Sequence, residues 1–143
     1  MAADRFVLDT SAVLALIEDA DGAERVEHVL RKAKVFIPWV VLMEVYALTC
    51  RELGEREADQ RYALLGQINA TLLEEIDEPT LLIAARIRST YRLPFPAAVV
   101  AAYCIRERAT LLHKDKQFDV LKDEIKLEAL DDHHEEEKAD EPA

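Results

Sequence analysis

Apolar residues along this chain fall into two alternating patterns. Short runs rich in strand-forming residues are separated by longer stretches in which apolar residues recur at helical spacing. The short runs predict strands at residues 5–8, 35–38, 72–76 and 110–113, with a fifth strand at the sheet edge over 126–130. The helical stretches lie at residues 12–19, 23–33, 39–53, 55–70, 79–91 and 96–108. Because strands that alternate with helices pair in parallel through right-handed crossovers, we predict a three-layer α/β/α domain with a mostly parallel sheet of four or five strands.

The 143 residues divide into one domain, residues 1–130, and an acidic tail, residues 131–143. The tail contains seven acids and a single lysine with almost no apolar residues, so we expect it to be disordered. No apolar run approaches the roughly 20 residues of a membrane span, and no signal peptide opens the chain. We therefore expect a cytoplasmic protein without a membrane partner. The two cysteines have no metal-binding or disulfide spacing.

The net charge of −11 argues at first against a nucleic-acid partner. The sign reverses, however, between residues 84 and 122, where eight basic side chains face three acids. This basic region could bind a polyanion, or it could be a set of solvated helix faces. Charge alone leaves both readings open.

Two aspartates follow strands that are distant in sequence. Asp9 comes directly after the first predicted strand, and Asp115 lies two residues beyond the fourth. The carboxyl ends of parallel strands meet at one sheet edge, where ligands bind in open α/β sheets. For either aspartate alone, capping of the next helix is the more common role.

Glu44 lies on an apolar helical stripe. On the helix predicted over 39–53, its neighbours one turn away are Val40, Val41, Ala47 and Leu48. This position directs the carboxylate toward the core or its rim, where it needs a cation, a basic side chain or a proton. A buried ion pair with an arginine is the alternative to a functional role.

Carboxylates that converge at one sheet edge repel one another unless a cation neutralises them. Oxygen ligands of this kind suit Mg²⁺ or Mn²⁺, which can activate water for attack on a phosphodiester. The chain has no glycine-rich phosphate loop, so nucleoside triphosphate chemistry is disfavoured.

Four segments in order resemble the motifs of the PIN-domain family, specifically its small VapC-type toxins. They are residues 6–12, 38–45, 93–102 and 110–118. The resemblance implies a metal-dependent endoribonuclease in which Asp9, Glu44 and Asp115 hold Mg²⁺ or Mn²⁺ and Thr10 and Ser11 support them. It also implies an RNA substrate, a homodimer and a cognate antitoxin protein that holds the toxin inactive.

The chain departs from the family pattern in the third and fourth motifs. The third motif places Ala97 where an aspartate is expected, through either natural loss or engineered inactivation; the intact surrounding motif slightly favours the latter. In the fourth, His113 stands where Thr or Ser is common and Gln117 where some members carry an acid. Asp119 could partly substitute for that acid, although a solvated role is favoured, and a structural role is favoured for His113. We therefore predict that this chain has little or no nuclease activity.

Three further expectations concern partners and rival functions. We expect phosphate contacts from Arg86, Arg92, Lys114 and Lys116. The rival functions are a PIN-fold RNA- or protein-binding regulator without nuclease activity, and a PIN nuclease of RNA maturation that has no antitoxin. Helices 39–53 and 55–70 carry more apolar residues than one core face needs, which predicts a dimer surface. These residues are Trp39, Val40, Leu42, Val45, Tyr46, Tyr62, Leu64 and Leu65.

Overall fold

The computed structural model describes residues 4–131, so the predicted acidic tail lies almost wholly outside the described residues. The strands are β1 (Arg5–Leu8), β2 (Lys34–Pro38), β3 (Thr71–Leu73), β4 (Thr110–His113) and β5 (Leu127–Ala129). The helices are α1 (Thr10–Ile17), α2 (Ala23–Lys32), α3 (Trp39–Leu53), α4 (Glu55–Leu65), α5 (Glu78–Tyr91) and α6 (Phe95–Glu107), and a 3₁₀ helix follows at Lys116–Leu121.

The five strands form one sheet in the order β3-β2-β1-β4-β5, with every described pair parallel. The predicted α/β architecture is confirmed. Strand β1 is central, and its register places Val7 between Phe36 of β2 and Leu111 of β4. All three side chains are buried, as expected of a strand covered by helices on both sheet faces.

Helix α6 lies in the core, and its residues from Ala97 to Cys104 are all buried. Most of these side chains are small, which lets the helix pack closely against β1 and β4. Helix α5 packs on the outer side of α6, while α3 and α4 form a second antiparallel pair. The core therefore fixes the first turn of α6 at the carboxyl edge of the sheet.

The apolar residues of α3 and α4 that predicted a dimer surface divide into two groups. Val40, Leu42, Val45 and Leu65 are buried in the core of this chain, whereas Tyr62 and Leu64 are exposed and Trp39 and Tyr46 are partly exposed. Half of the predicted surplus is therefore used within the protomer. Within residues 4–131, no helix is both long and apolar enough to cross a membrane.

Candidate metal centre

A pocket of about 350 Å³ opens at the carboxyl edge of the sheet, between α1, α3 and the first turn of α6. The structure brings Asp9, Glu44 and Asp115 together in its lining, although they come from distant parts of the chain. Ala97 lines the same pocket. The remaining lining residues are Thr10, Ser11, Leu14, Leu48, Pro94, Pro96, Val100, Gln117 and Phe118.

Asp9 is only 4% exposed and is the N-cap of α1. Its Oδ1 accepts the Ala12 backbone N–H at 2.9 Å, and the Ser11 hydroxyl donates to its carboxylate at 2.8 Å. The Ser11 oxygen in turn accepts the backbone N–H of Lys114 at 2.8 Å. Ser11 thus connects the end of β1 to the segment after β4, which carries Asp115.

Burial raises the pKa of Asp9 to about 6. The hydrogen bonds from Ala12 and Ser11 oppose this shift, while the negative charge of Asp115 adds to it. The ionised form of Asp9 is therefore costly, and a cation or a proton in the pocket would relieve the cost.

Glu44 is half-buried at the rim of the pocket. Its Oε1 accepts a hydrogen bond from the Thr10 hydroxyl at 2.6 Å, which connects α3 to the start of α1. In the part of the chain that the structure describes, no arginine or lysine forms an ion pair with Glu44. The alternative of a buried arginine pair is therefore wrong for residues 4–131.

Asp115 is held by Gln117, a contact that the sequence reading did not predict. The Gln117 backbone N–H donates to Asp115 Oδ1 at 3.0 Å, and its side-chain amide donates to Oδ2 at 2.7 Å. Asp115 is thus the N-cap of the 3₁₀ helix. An aspartate two residues before an amide side chain at a strand end is the sequence signal for this turn.

His113 has a structural environment outside the pocket lining. Its Nδ1 accepts the backbone N–H of Asp115 at 3.1 Å, and its ring lies edge-on to Phe118 with centroids 5.3 Å apart. Burial lowers the pKa of His113, which favours the neutral ring that this bond requires. Asp119 is exposed on the 3₁₀ helix and does not line the pocket either.

The four basic residues proposed for phosphate binding lie outside the pocket lining. Arg86 forms an ion pair with Glu124 at 3.0 Å, and Lys114 Nζ donates to the backbone oxygen of Asp21 at 3.0 Å. Lys116 is exposed beside Asp115, and Arg92 ends α5 in the left-handed conformation. The structure does not gather these four side chains at one place.

The donor atoms of the pocket are of the kind that Mg²⁺ prefers, but the set is incomplete. Among residues 4–131, no three His, Cys, Asp or Glu side chains approach closely enough to hold a metal ion. Ala97 is 4% exposed in the first turn of α6 and presents only a methyl group to the pocket. The pocket as it stands therefore does not fit a tightly held divalent ion.

The family model described as PIN domain matches residues 6–124, and the chain belongs to this family. No curated protein matches it. Among solved structures, a chain of the VapBC2 complex of Rickettsia felis bound to a promoter DNA fragment is similar, with 15% identity and a TM-score of 0.73 over 89% of this chain and 99% of that chain. The Mycobacterium tuberculosis toxin VapC20, described as cleaving the sarcin–ricin loop, has 19% identity and a TM-score of 0.66 over 80% and 93% of the two chains. VapBC-1 of nontypeable Haemophilus influenzae has 16% identity and a TM-score of 0.70 over 87% and 97%.

Proposed function

We propose that this protein is a VapC-type endoribonuclease toxin whose catalytic pocket is disabled at Ala97. The observation that carries the proposal is the convergence of Asp9, Glu44, Asp115 and position 97 on one pocket of a PIN domain. The similarity to VapC20, a ribosomal-loop-cleaving toxin, supports RNA as the substrate. The intended cofactor is Mg²⁺ or Mn²⁺, because the pocket offers only oxygen ligands.

The proposed chemistry is metal-assisted hydrolysis of an RNA phosphodiester, for which a divalent ion supplies an activated water and stabilises developing charge. In this chain, the protein residues already have the supporting roles. Ser11 and Thr10 orient the carboxylates of Asp9 and Glu44, and Gln117 orients Asp115. With a methyl group at position 97 the ligand set is short by one carboxylate, so we expect little or no cleavage.

The test is Mg²⁺-dependent cleavage of a mixed cellular RNA pool by this chain and its Ala97→Asp variant, with EDTA as the control. Ala97→Asn is the matched variant, because it has the size of Asp without the charge. We expect only the Asp variant to cut, and only without EDTA. Cleavage by the chain itself would refute the disabled pocket, and absence of cleavage by all three folded proteins would favour the second candidate.

The second candidate is a PIN-fold RNA- or protein-binding regulator without nuclease activity. It is favoured by the hydrogen bonds of Asp9, Glu44 and Asp115, each of which has a structural use. Equal RNA affinity of the chain and Ala97→Asp, with no cleavage by either, would support it. A nuclease of RNA maturation predicts instead that no antitoxin gene lies beside this one.

The partner proposal is a cognate antitoxin and a second copy of this chain. Similarity to chains of VapBC complexes supports the antitoxin. Co-expression with a small open reading frame encoded beside the gene tests it, because the two products should co-purify and RNA cleavage by Ala97→Asp should be suppressed. We also propose a cytoplasmic location, which cell fractionation tests.

A further inference from the structure

Helix α5 has a buried face and an exposed face that are clearly separated. Thr80, Ala84 and Ile87 face the core, on the side that packs against α6. At 100° per residue, seven exposed residues fall on the opposite side within about 120° of arc. They are Glu78, Leu81, Leu82, Ala85, Arg88, Ser89 and Arg92, and we call them the α5 face.

The centre of the α5 face is apolar and borders an apolar groove. Leu81 and Leu82 are 50% and 57% exposed. The groove, of about 700 Å³, lies between α5 and the first turn of α6, where Phe95 is 45% exposed. Large apolar side chains exposed side by side indicate an interaction surface rather than scattered surface residues.

Charge is ordered along the α5 face. Its amino end carries Glu78, its middle carries the two leucines and Ala85, and its carboxyl end carries Arg88 and Arg92. Within residues 4–131, no carboxylate forms an ion pair with Arg88 or Arg92. Both guanidinium groups are therefore available to an acidic partner.

This order makes the α5 face complementary to itself in the antiparallel direction. With a two-fold axis at Ala85, Glu78 of one copy lies opposite Arg92 of the other, and this pair occurs twice. The same register places Leu81 opposite Ser89 and Leu82 opposite the aliphatic stem of Arg88. The small Ala85 at the axis allows the two helices to approach closely.

We propose that the α5 face packs against the α5 face of a second copy of this chain, antiparallel about a two-fold axis at Ala85. The inference deepens the dimer part of the proposed function and does not depend on nuclease activity. A second copy is the occupant that the observations favour, because an isologous interface requires a self-complementary patch. The proposal differs from the α3–α4 surface predicted from sequence.

The α5 face adjoins the candidate metal centre through the first turn of α6. Phe95 borders the groove, whereas its neighbours Pro94, Pro96 and Ala97 line the carboxylate pocket. A dimer through α5 would thus place its interface one helical turn from the pocket in each copy.

Sedimentation equilibrium of the chain as it stands tests the proposal at tens of micromolar protein. We expect a dimer, and we expect Leu82→Glu to be monomeric under the same conditions. Leu64→Glu on α4 is the matched control, because Leu64 is also an exposed leucine on a helix, and we expect it to remain dimeric. Circular dichroism confirms that each variant is folded.

A charge swap tests the register itself. Arg92→Glu and Glu78→Arg should each weaken the dimer by roughly tenfold, because each creates two like-charge pairs, and the double variant should recover most of that loss. A monomeric parent chain, an intact dimer in Leu82→Glu, or a dimer lost only in Leu64→Glu would overturn the α5 interface. No recovery in the double variant would overturn the proposed register. The RNA cleavage assay with Ala97→Asp fails or succeeds independently of these results.

Discussion

The ionised carboxylate of Asp9 costs the protein stability, and Asp9→Asn should remove that cost. Asp9 is almost fully buried, and burial raises its pKa from 3.8 to about 6. Asparagine has the same shape and can also accept the Ala12 N–H as an N-cap. The substitution therefore removes a buried charge and keeps the main structural role of the side chain.

The size of the effect follows from the pKa shift. A shift of about 2 units at about 1.36 kcal/mol per unit corresponds to about 3 kcal/mol. Asparagine accepts through a single side-chain oxygen, so the Ser11 hydroxyl keeps a weaker partner and we expect a net gain of about 1–3 kcal/mol. Because the folded-state pKa is raised, the cost is absent below about pH 3.8, grows as the pH rises and is complete above about pH 6.

The assay is urea unfolding of the chain and Asp9→Asn in EDTA, from pH 4 to pH 8. We expect the two proteins to converge near pH 4 and the variant to be more stable at pH 8, by roughly 2–4 °C of melting temperature per kcal/mol. Asp119→Asn controls for the loss of one negative charge, because Asp119 is exposed and outside the pocket. A variant that is equally stable or less stable at pH 8 would refute the reasoning that burial dominates at Asp9.

Three other predictions concern the pocket and the core. In calorimetric titration with Mn²⁺, Ala97→Asp should bind at least about tenfold more tightly than the chain itself, because one carboxylate ligand is added; tight binding of two ions by the chain as it stands would contradict the incomplete ligand set. Ser11→Ala should lower the free energy of unfolding by about 1–3 kcal/mol, since the Asp9 carboxylate and the Lys114 N–H both lose a partner; an unchanged urea midpoint would count against this link. Tyr103→Phe should cost a similar amount, about 1–3 kcal/mol, because the buried hydroxyl accepts from Trp39 Nε1 and donates to the Glu75 carbonyl. Tyr46→Phe, which removes a bond to Asp59 at an exposed site, is its control and should have a smaller effect.

The fold could be predicted closely where local sequence signals mark both ends of an element. The bounds of α3, 39–53, agree with the prediction because Pro38 and Gly54 stop the pattern at either end. The bounds of β3 were wrong by several residues: the predicted strand ran over 72–76, whereas β3 is Thr71–Leu73. Leu73 pairs with Pro38, the last residue of β2, so residues beyond it have no neighbouring strand.

The end of α4 was also wrong, for a tertiary reason. The apolar pattern predicted a helix to residue 70, but α4 ends at Leu65 and Gly66 is its C-cap. The Asn69 side chain then donates to the Leu30 carbonyl of α2 at 2.9 Å. A contact between residues so far apart in sequence leaves no signal in the local pattern.

The candidate site shows the same division between local and distant information. Strand ends and an apolar helix stripe were enough to place Asp9, Asp115 and Glu44 in one pocket. The partners of the basic residues were not predictable, since the Arg86–Glu124 pair depends on how α5 packs beside the segment after the 3₁₀ helix. A count of charges gives the sign of a region but not which of its side chains already have partners.

The three carboxylates of the pocket are also structural groups, and this explains why the pocket keeps its form without a fourth acid. Asp9 caps α1, Asp115 caps the 3₁₀ helix, and Glu44 accepts a hydrogen bond from Thr10. Their positions are thus fixed by bonds that stay in place whatever residue occupies position 97. Ala97 contributes no hydrogen bond and sits on a helix whose place is set by its buried small residues. A single aspartate there would add the missing ligand to a pocket that is already formed, so the comparison of Ala97→Asp with Ala97→Asn isolates the charge on which the proposed chemistry depends.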